Sequence, residues 1–250
     1  MRSFEELVAE AEAADVSGWG FGWLAGRATE ERPPWGYAAR QAQRLASASS
    51  ALDLDTGGGE VLDETPTLPP RMVATEAWPP NLARARARLG PRGVEVVDTS
   101  AAQGIPLPDR SFELVTSRHP IAHDWPEIHR VLVDGGTYLA QHVGPGSAAE
   151  LIAHFVAPEV WDRPSGRDPG VESAAAEAAG LTVVALRTAR CRMEFHDIGA
   201  VVWILRKCVW WVPDFSVERY RSVLLELDAQ LRAGQPVVAH STRHLIEARR

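Results

Sequence analysis

Residues 51–60, ALDLDTGGGE, constrain the fold more than any other stretch of the chain. An apolar strand bearing one acid, Asp53, runs into three consecutive glycines, Gly57, Gly58 and Gly59. Lacking a Cβ, backbone there can turn sharply and press against a ligand. A buried strand ending in such a loop is how an open α/β sheet builds a nucleotide pocket at its carboxyl edge.

The flanking sequence agrees with that architecture. Residues 51–55, 71–77, 94–98, 112–117 and 137–143 are short apolar runs and read as strands. Residues 81–89, 125–133 and 148–156 have helical periodicity. Alternating strands and helices imply right-handed βαβ units and a doubly wound sheet. Two late strands, 181–195 and 235–247, lack a crossover between parallel neighbours and predict an antiparallel pair at one sheet edge. Helices are expected at 3–14, 37–49, 172–179, 198–212 (ended by Pro213) and 216–232, the last capped by Ser216. Residues 157–170 read as a mobile loop.

Composition narrows the function. A net charge of -7 argues against a nucleic-acid binder, which needs a basic footprint. The most apolar stretch, 198–212, is broken by Arg206 and Lys207 and is too short to span a bilayer, so no membrane partner is expected. The acidic, amphipathic start lacks the basic head of a signal peptide. Two cysteines make no disulfide framework, and a cytoplasmic location is expected.

A dinucleotide turn needs G-x-G-x-x-G. Here Gly57 and Gly59 are followed by Leu62, which counts against a nicotinamide or flavin cofactor. The stretch instead resembles motif I of class I S-adenosylmethionine (SAM) methyltransferases, an acid on a strand followed by G-x-G-x-G. The resemblance continues through Glu76 and Asp98 at the ends of the next two strands. It extends to IPLPDRSFELVTSRH (105–119) and IHRVLVDGGTYL (128–139). The chain is also similar to a bacterial branch of the type 11-like methyltransferases. That likeness is carried by GWLAGRATEERPPW, TEAWPPN (75–81), Arg118–His119, Gln141–Gly144 and the segment 197–220. It implies a Rossmann-like, doubly wound, seven-stranded α/β sheet, mostly parallel with an antiparallel last strand. It also implies a helical cap over 1–49 and a catalytic domain over 50–250, with an insert near 198–233.

The resemblance places SAM on Asp53, Asp55, Thr56, Gly57, Gly59, Glu76, Asp98, Thr99 and Ser117. Carboxylates on ribose hydroxyls form charge-assisted hydrogen bonds, and an acidic pocket suits a sulfonium cation. Asp55 replaces the motif's first glycine. If that position requires positive φ, Asp costs about 1–3 kcal/mol of strain there. His119 and His142, following strands four and five, are the candidate general bases. Trp19, Trp23, Tyr37 and Arg118 are candidates for binding a small, partly apolar, anionic acceptor. His119 and His123 have i, i+4 spacing beside Asp124, but Pro120 opposes a helix and no metal is expected. Trp203, Trp210 and Trp211 can line a pocket wall or a homodimer face, core packing being the commoner outcome. The rival readings are a SAM-binding protein without turnover and an NAD(P)-dependent oxidoreductase.

Overall fold

The computed structural model describes residues 2–120, 122–157 and 167–250. Most of the expected loop at 157–170 therefore lies outside the described residues. The strands are β1 (Ala28–Glu30), β2 (Ser50–Leu54), β3 (Arg71–Glu76), β4 (Glu95–Asp98), β5 (Phe112–Arg118), β6 (Leu132–Val143), β7 (Thr182–Phe195) and β8 (Val237–Arg249). Their order is β1-β7-β8-β6-β5-β2-β3-β4. One strand is added to the expected seven: β1, three residues inside the aromatic lead-in, paired antiparallel to β7.

The chain divides into two units of interleaved segments. One unit takes 33–144, 166–189 and 243–250, so the expected boundary at 49/50 falls inside it. Here β2 pairs in parallel with β3 and β5, β3 with β4, and β5 with β6, while β8 runs antiparallel to β6. The chain steps from β2 outward to β4, then returns to the other side of β2 as β5. The switch point between β2 and β5 is where such sheets bind ligands. The helices of this unit are α2 (Tyr37–Ser47), α3 (Glu60–Asp63), α4 (Pro79–Leu89), α5 (Trp125–Val131) and, after α6 of the other unit, α7 (Pro169–Ala178). Apolar side chains alternate along the strands to fill two cores. Leu52, Val115, Tyr138 and Ile246 belong to one; Ala51, Leu114, Leu139 and Leu245 belong to the other. Strand β6 begins at Leu132, earlier than expected, because the chain bulges through Asp134-Gly135-Gly136 before Thr137 resumes register with Leu114.

The other unit takes 1–32, 145–165 and 190–242. Helix α1 (Phe4–Ala13) starts with a capping box in which Ser3 and Glu6 bond each other's backbone N–H. Its Phe4, Leu7, Val8 and Ala11 share a core with α8 (Ile198–Lys207), which is buried nearly all round. Asp197 caps α8, accepting from the N–H of Ala200 at 2.9 Å. The other helices here are α6 (Ala149–Ile152) and α9 (Arg221–Arg232), both shorter than expected. Ser216 instead closes a turn before α9, its Oγ accepting from the Arg219 N–H. Lys207 donates to the carbonyls of Val16, Ser17 and Gly18. Among the described residues no helix is long and apolar enough to cross a membrane.

Candidate active site

The loop after β2 is stitched to the next strand by backbone. Thr56 N–H donates to Thr75 O at 2.9 Å, and Thr99 N–H, after β4, donates to Glu76 O at 3.2 Å. Asp55 has φ 53°, as a glycine-type position requires, and Gly57 and Gly59 have φ 63° and 82°. A Cβ on Gly59 would meet Leu89 of α4 at 2.9 Å, so only glycine lets α4 pack there. Behind the loop, Arg88 of α4 holds the Gly58 carbonyl and the Glu60 carboxylate.

Three carboxylates mark the strand ends. Asp53 is buried, and its Oδ1 accepts from Thr116 Oγ1 at 2.5 Å and from Gln41 Nε2 at 3.1 Å. Burial pushes its carboxyl up to about 6, against hydrogen bonds from Thr116, Thr56 and Gln41. Glu76 accepts from the Trp78 N–H at 2.8 Å; burial raises its pKa, with the N–H groups of Trp78, Gly57 and Ala77 opposing. Asp98 is exposed, and hydrogen bonds from the Ser100 side chain and N–H hold its carboxyl below the usual range.

At the end of β5, Ser117 is buried and donates to Leu54 O at 3.0 Å, tying β5 to β2. Tyr37 OH donates to Ser117 O at 2.9 Å. Arg118 is exposed. His119 follows with φ 59°, an uncommon conformation for a residue with a side chain. Its Nε2 lies 3.0 Å from Gln141 Nε2, and Gln141 Oε1 lies 2.7 Å from Trp35 Nε1. An indole nitrogen only donates, so the atom facing Trp35 is the amide oxygen and the amide NH2 faces His119. His119 Nε2 therefore accepts, and the neutral ring carries its proton on Nδ1. Burial, then the charges of Arg243 and Arg118, press its pKa down to about 3.

With that geometry in place, residues 52–140 match the family model described as a methyltransferase domain. Over the glycine loop and the strand ends the chain is thus similar to that family. Its fold is similar to that of a candidate methyltransferase of Bacillus halodurans (21% identity, 85% of this chain and 97% of that one, TM-score 0.59). A Deinococcus radiodurans protein of unknown function aligns over 89% and 90% of the two chains (16% identity, TM-score 0.61). Phosphoethanolamine N-methyltransferase 2 of Haemonchus contortus, solved with SAM, aligns with all of this chain and 60% of its own (16% identity, TM-score 0.52). Among curated proteins none matches the sequence.

The donor set around the glycine loop fits SAM. No Lys or Arg occurs between residues 45 and 70, while Asp55 and Glu76 flank the loop, which suits a sulfonium and a ribose diol rather than a pyrophosphate. The structure revises two expected roles. Asp53 is spent inside the sheet on Thr116 and Gln41, so it braces the loop from beneath. His142 is buried, with Nδ1 2.6 Å from Glu172 Oε2 and Nε2 3.0 Å from Tyr138 OH. Both ring nitrogens are engaged, leaving none to take an acceptor's proton.

The sequence reading missed the group to which His142 belongs. Glu172 of α7 also lies 3.1 Å from His123 Nε2 and 2.6 Å from His244 Nε2. Burial alone would raise its pKa, but the three imidazoles outweigh burial and hold Glu172 well below the carboxylate range. Burial keeps His142 down at about 4 despite its bond to Glu172. His123 thus pairs with Glu172 and not with His119. One signal was available: His142 and His244 are directly opposite in the antiparallel pairing of β6 and β8. Of the aromatic candidates, Tyr37 lies in the sheet-bearing unit. Trp19 and Trp23 lie in the other, Trp23 stacked on the buried Trp203 at 5.6 Å and Trp19 6.2 Å from the exposed Trp210.

Proposed function

We propose that this protein transfers a methyl group from SAM to a small-molecule acceptor bearing an anionic group, as a cytoplasmic enzyme. The observation that carries the reading is the glycine loop after β2 with Asp55, Glu76 and Asp98 at the mouths of adjacent strands. Glu76 and Asp98 would bind the cofactor's ribose and adenine end, and Asp55, Thr56, Gly57 and Gly59 its methionine half, with Thr99 and Ser117 holding the neighbouring loops. Bound SAM supplies an electrophilic methyl group on a sulfonium. The residues after β5 hold the acceptor. His119 offers Nδ1–H, a donor suited to an acceptor oxygen, and the positive charges of Arg118 and Arg243 favour an anion there. With its pKa near 3 and its Nε2 held by Gln141, His119 orients the acceptor rather than deprotonating it. The acceptor then brings its own lone pair, as a carboxylate, thiolate or amine does.

Calorimetric titration with SAM and S-adenosylhomocysteine, with NADH as control, tests this. Saturable micromolar binding of the first two, reduced at least tenfold by Glu76→Ala, is expected (about 1.4 kcal/mol per tenfold). Binding of NADH alone would overturn the reading in favour of an oxidoreductase. A second reading, SAM binding without turnover, draws on Asp55 at φ 53° in place of glycine. Asp55→Gly should relieve about 1 kcal/mol of strain, read as a higher urea midpoint. If the same substitution created turnover in an otherwise silent protein, the second reading would stand.

A further inference from the structure

We propose that His123, His142 and Glu172 bind a divalent transition-metal ion of the zinc class. Their ligating atoms lie within 4.8 Å of one another. The group combines two imidazoles and one carboxylate, the three-ligand set with which borderline divalent ions are held when a coordination position stays open. The side chains of His142 and Glu172 are 2% and 1% exposed, and that of His123 is 10% exposed. His123 borders a surface cleft formed with Asp124, Trp125 and Ala175, which gives an ion a route in.

The surroundings meet the further needs of a metal site. When His142 ligates through Nδ1, its proton moves to Nε2, where the Tyr138 hydroxyl stands 3.0 Å away and can accept it. His123 ligates through Nε2 by moving its proton to Nδ1. Each imidazole enters by changing tautomer, so the ion displaces no proton from the protein. His244 Nε2–H donates to Glu172 Oε2 at 2.6 Å and orients the carboxylate from behind. Its Nδ1 is buried with no partner among the described residues. That atom is therefore best left as a bare lone pair, which fixes the proton on Nε2 and makes His244 a positioning residue rather than a ligand. The buried Glu172 carboxylate gives the group the anionic ligand that a dication attracts.

The test uses the whole chain, stripped with chelator and titrated with Co²⁺ followed by its visible spectrum, then displaced with Zn²⁺. One equivalent should bind with the spectrum of a nitrogen-ligated site. His244→Ala should weaken binding by roughly 10–100-fold. His123→Ala, at the least buried of the three ligands, should weaken it further while circular dichroism stays unchanged. His154→Ala, at an exposed histidine, should leave it intact. Absence of stoichiometric binding, or binding that survives in folded His123→Ala, would overturn the proposal. Neither outcome depends on SAM binding, which is measured separately.

Discussion

Two of the carboxylates buried in the sheet-bearing unit, Asp53 and Glu172, respond oppositely to burial. Asp53 and Glu172 each have three side-chain hydrogen-bonding partners. The partners of Asp53 are a glutamine and two threonines, neutral groups that fall short of repaying the lost hydration, so its carboxyl rises to about 6. The partners of Glu172 are imidazoles, whose N–H dipoles and capacity for positive charge hold its carboxyl down. The number of hydrogen bonds does not decide the ionisation of a buried acid; the chemistry of the donors does. One acid is a reluctantly ionised brace under a loop, and the other is a fixed anion.

Substitution should separate the two most sharply at Glu172. Glu172→Leu removes the acceptor shared by three imidazoles, two of them buried, and should cost about 3–5 kcal/mol in urea unfolding. Asp53→Asn should do the reverse at alkaline pH. An acid whose folded pKa is raised binds its proton more tightly in the native state, so stability falls as pH rises from about 4 to about 6. Removing that charge should therefore stabilise the protein by about 3 kcal/mol at pH 8, a gain that disappears below pH 4. Equal effects of the two substitutions would break the comparison. The smallest effect is expected at Trp35. Trp35→Phe frees the Gln141 amide to turn its oxygen toward His119, and the imidazole pKa, read by NMR titration, should move up from about 3. An unmoved titration would show that Gln141 does not set the tautomer.

The glycine-loop end of the sheet was legible because its parts are contiguous. Each strand from β2 to β5 ends on or beside a residue proposed for the site, so local pattern and proposed site coincide. The fold followed for the same reason, down to the start of α8 at residue 198. What escaped depends on tertiary context. Strand β1 is three residues long and exists only because β7 offers it a partner. The early start of β6 hides behind Gly135-Gly136, which locally signal a break. Asp53 looked like a ligand contact because sequence cannot show Gln41 and Thr116 closing over it. The histidines that meet Glu172 come from a loop, a central strand and an edge-side strand, and only sheet register brings two of them together.

That dispersal sets an order on the ribosome. The strands of the glycine loop are complete once Asp98 is made, whereas the His244 that orients Glu172 follows roughly 150 residues later, about 10–30 s at ordinary synthesis rates. Once Glu172 is made, and until β8 follows, His123, His142 and Glu172 are present together without the strand that closes over them. Nascent protein arrested before β8 should thus hold its cofactor loop early and acquire its imidazole cage only as the final pairing of β6 with β8 forms.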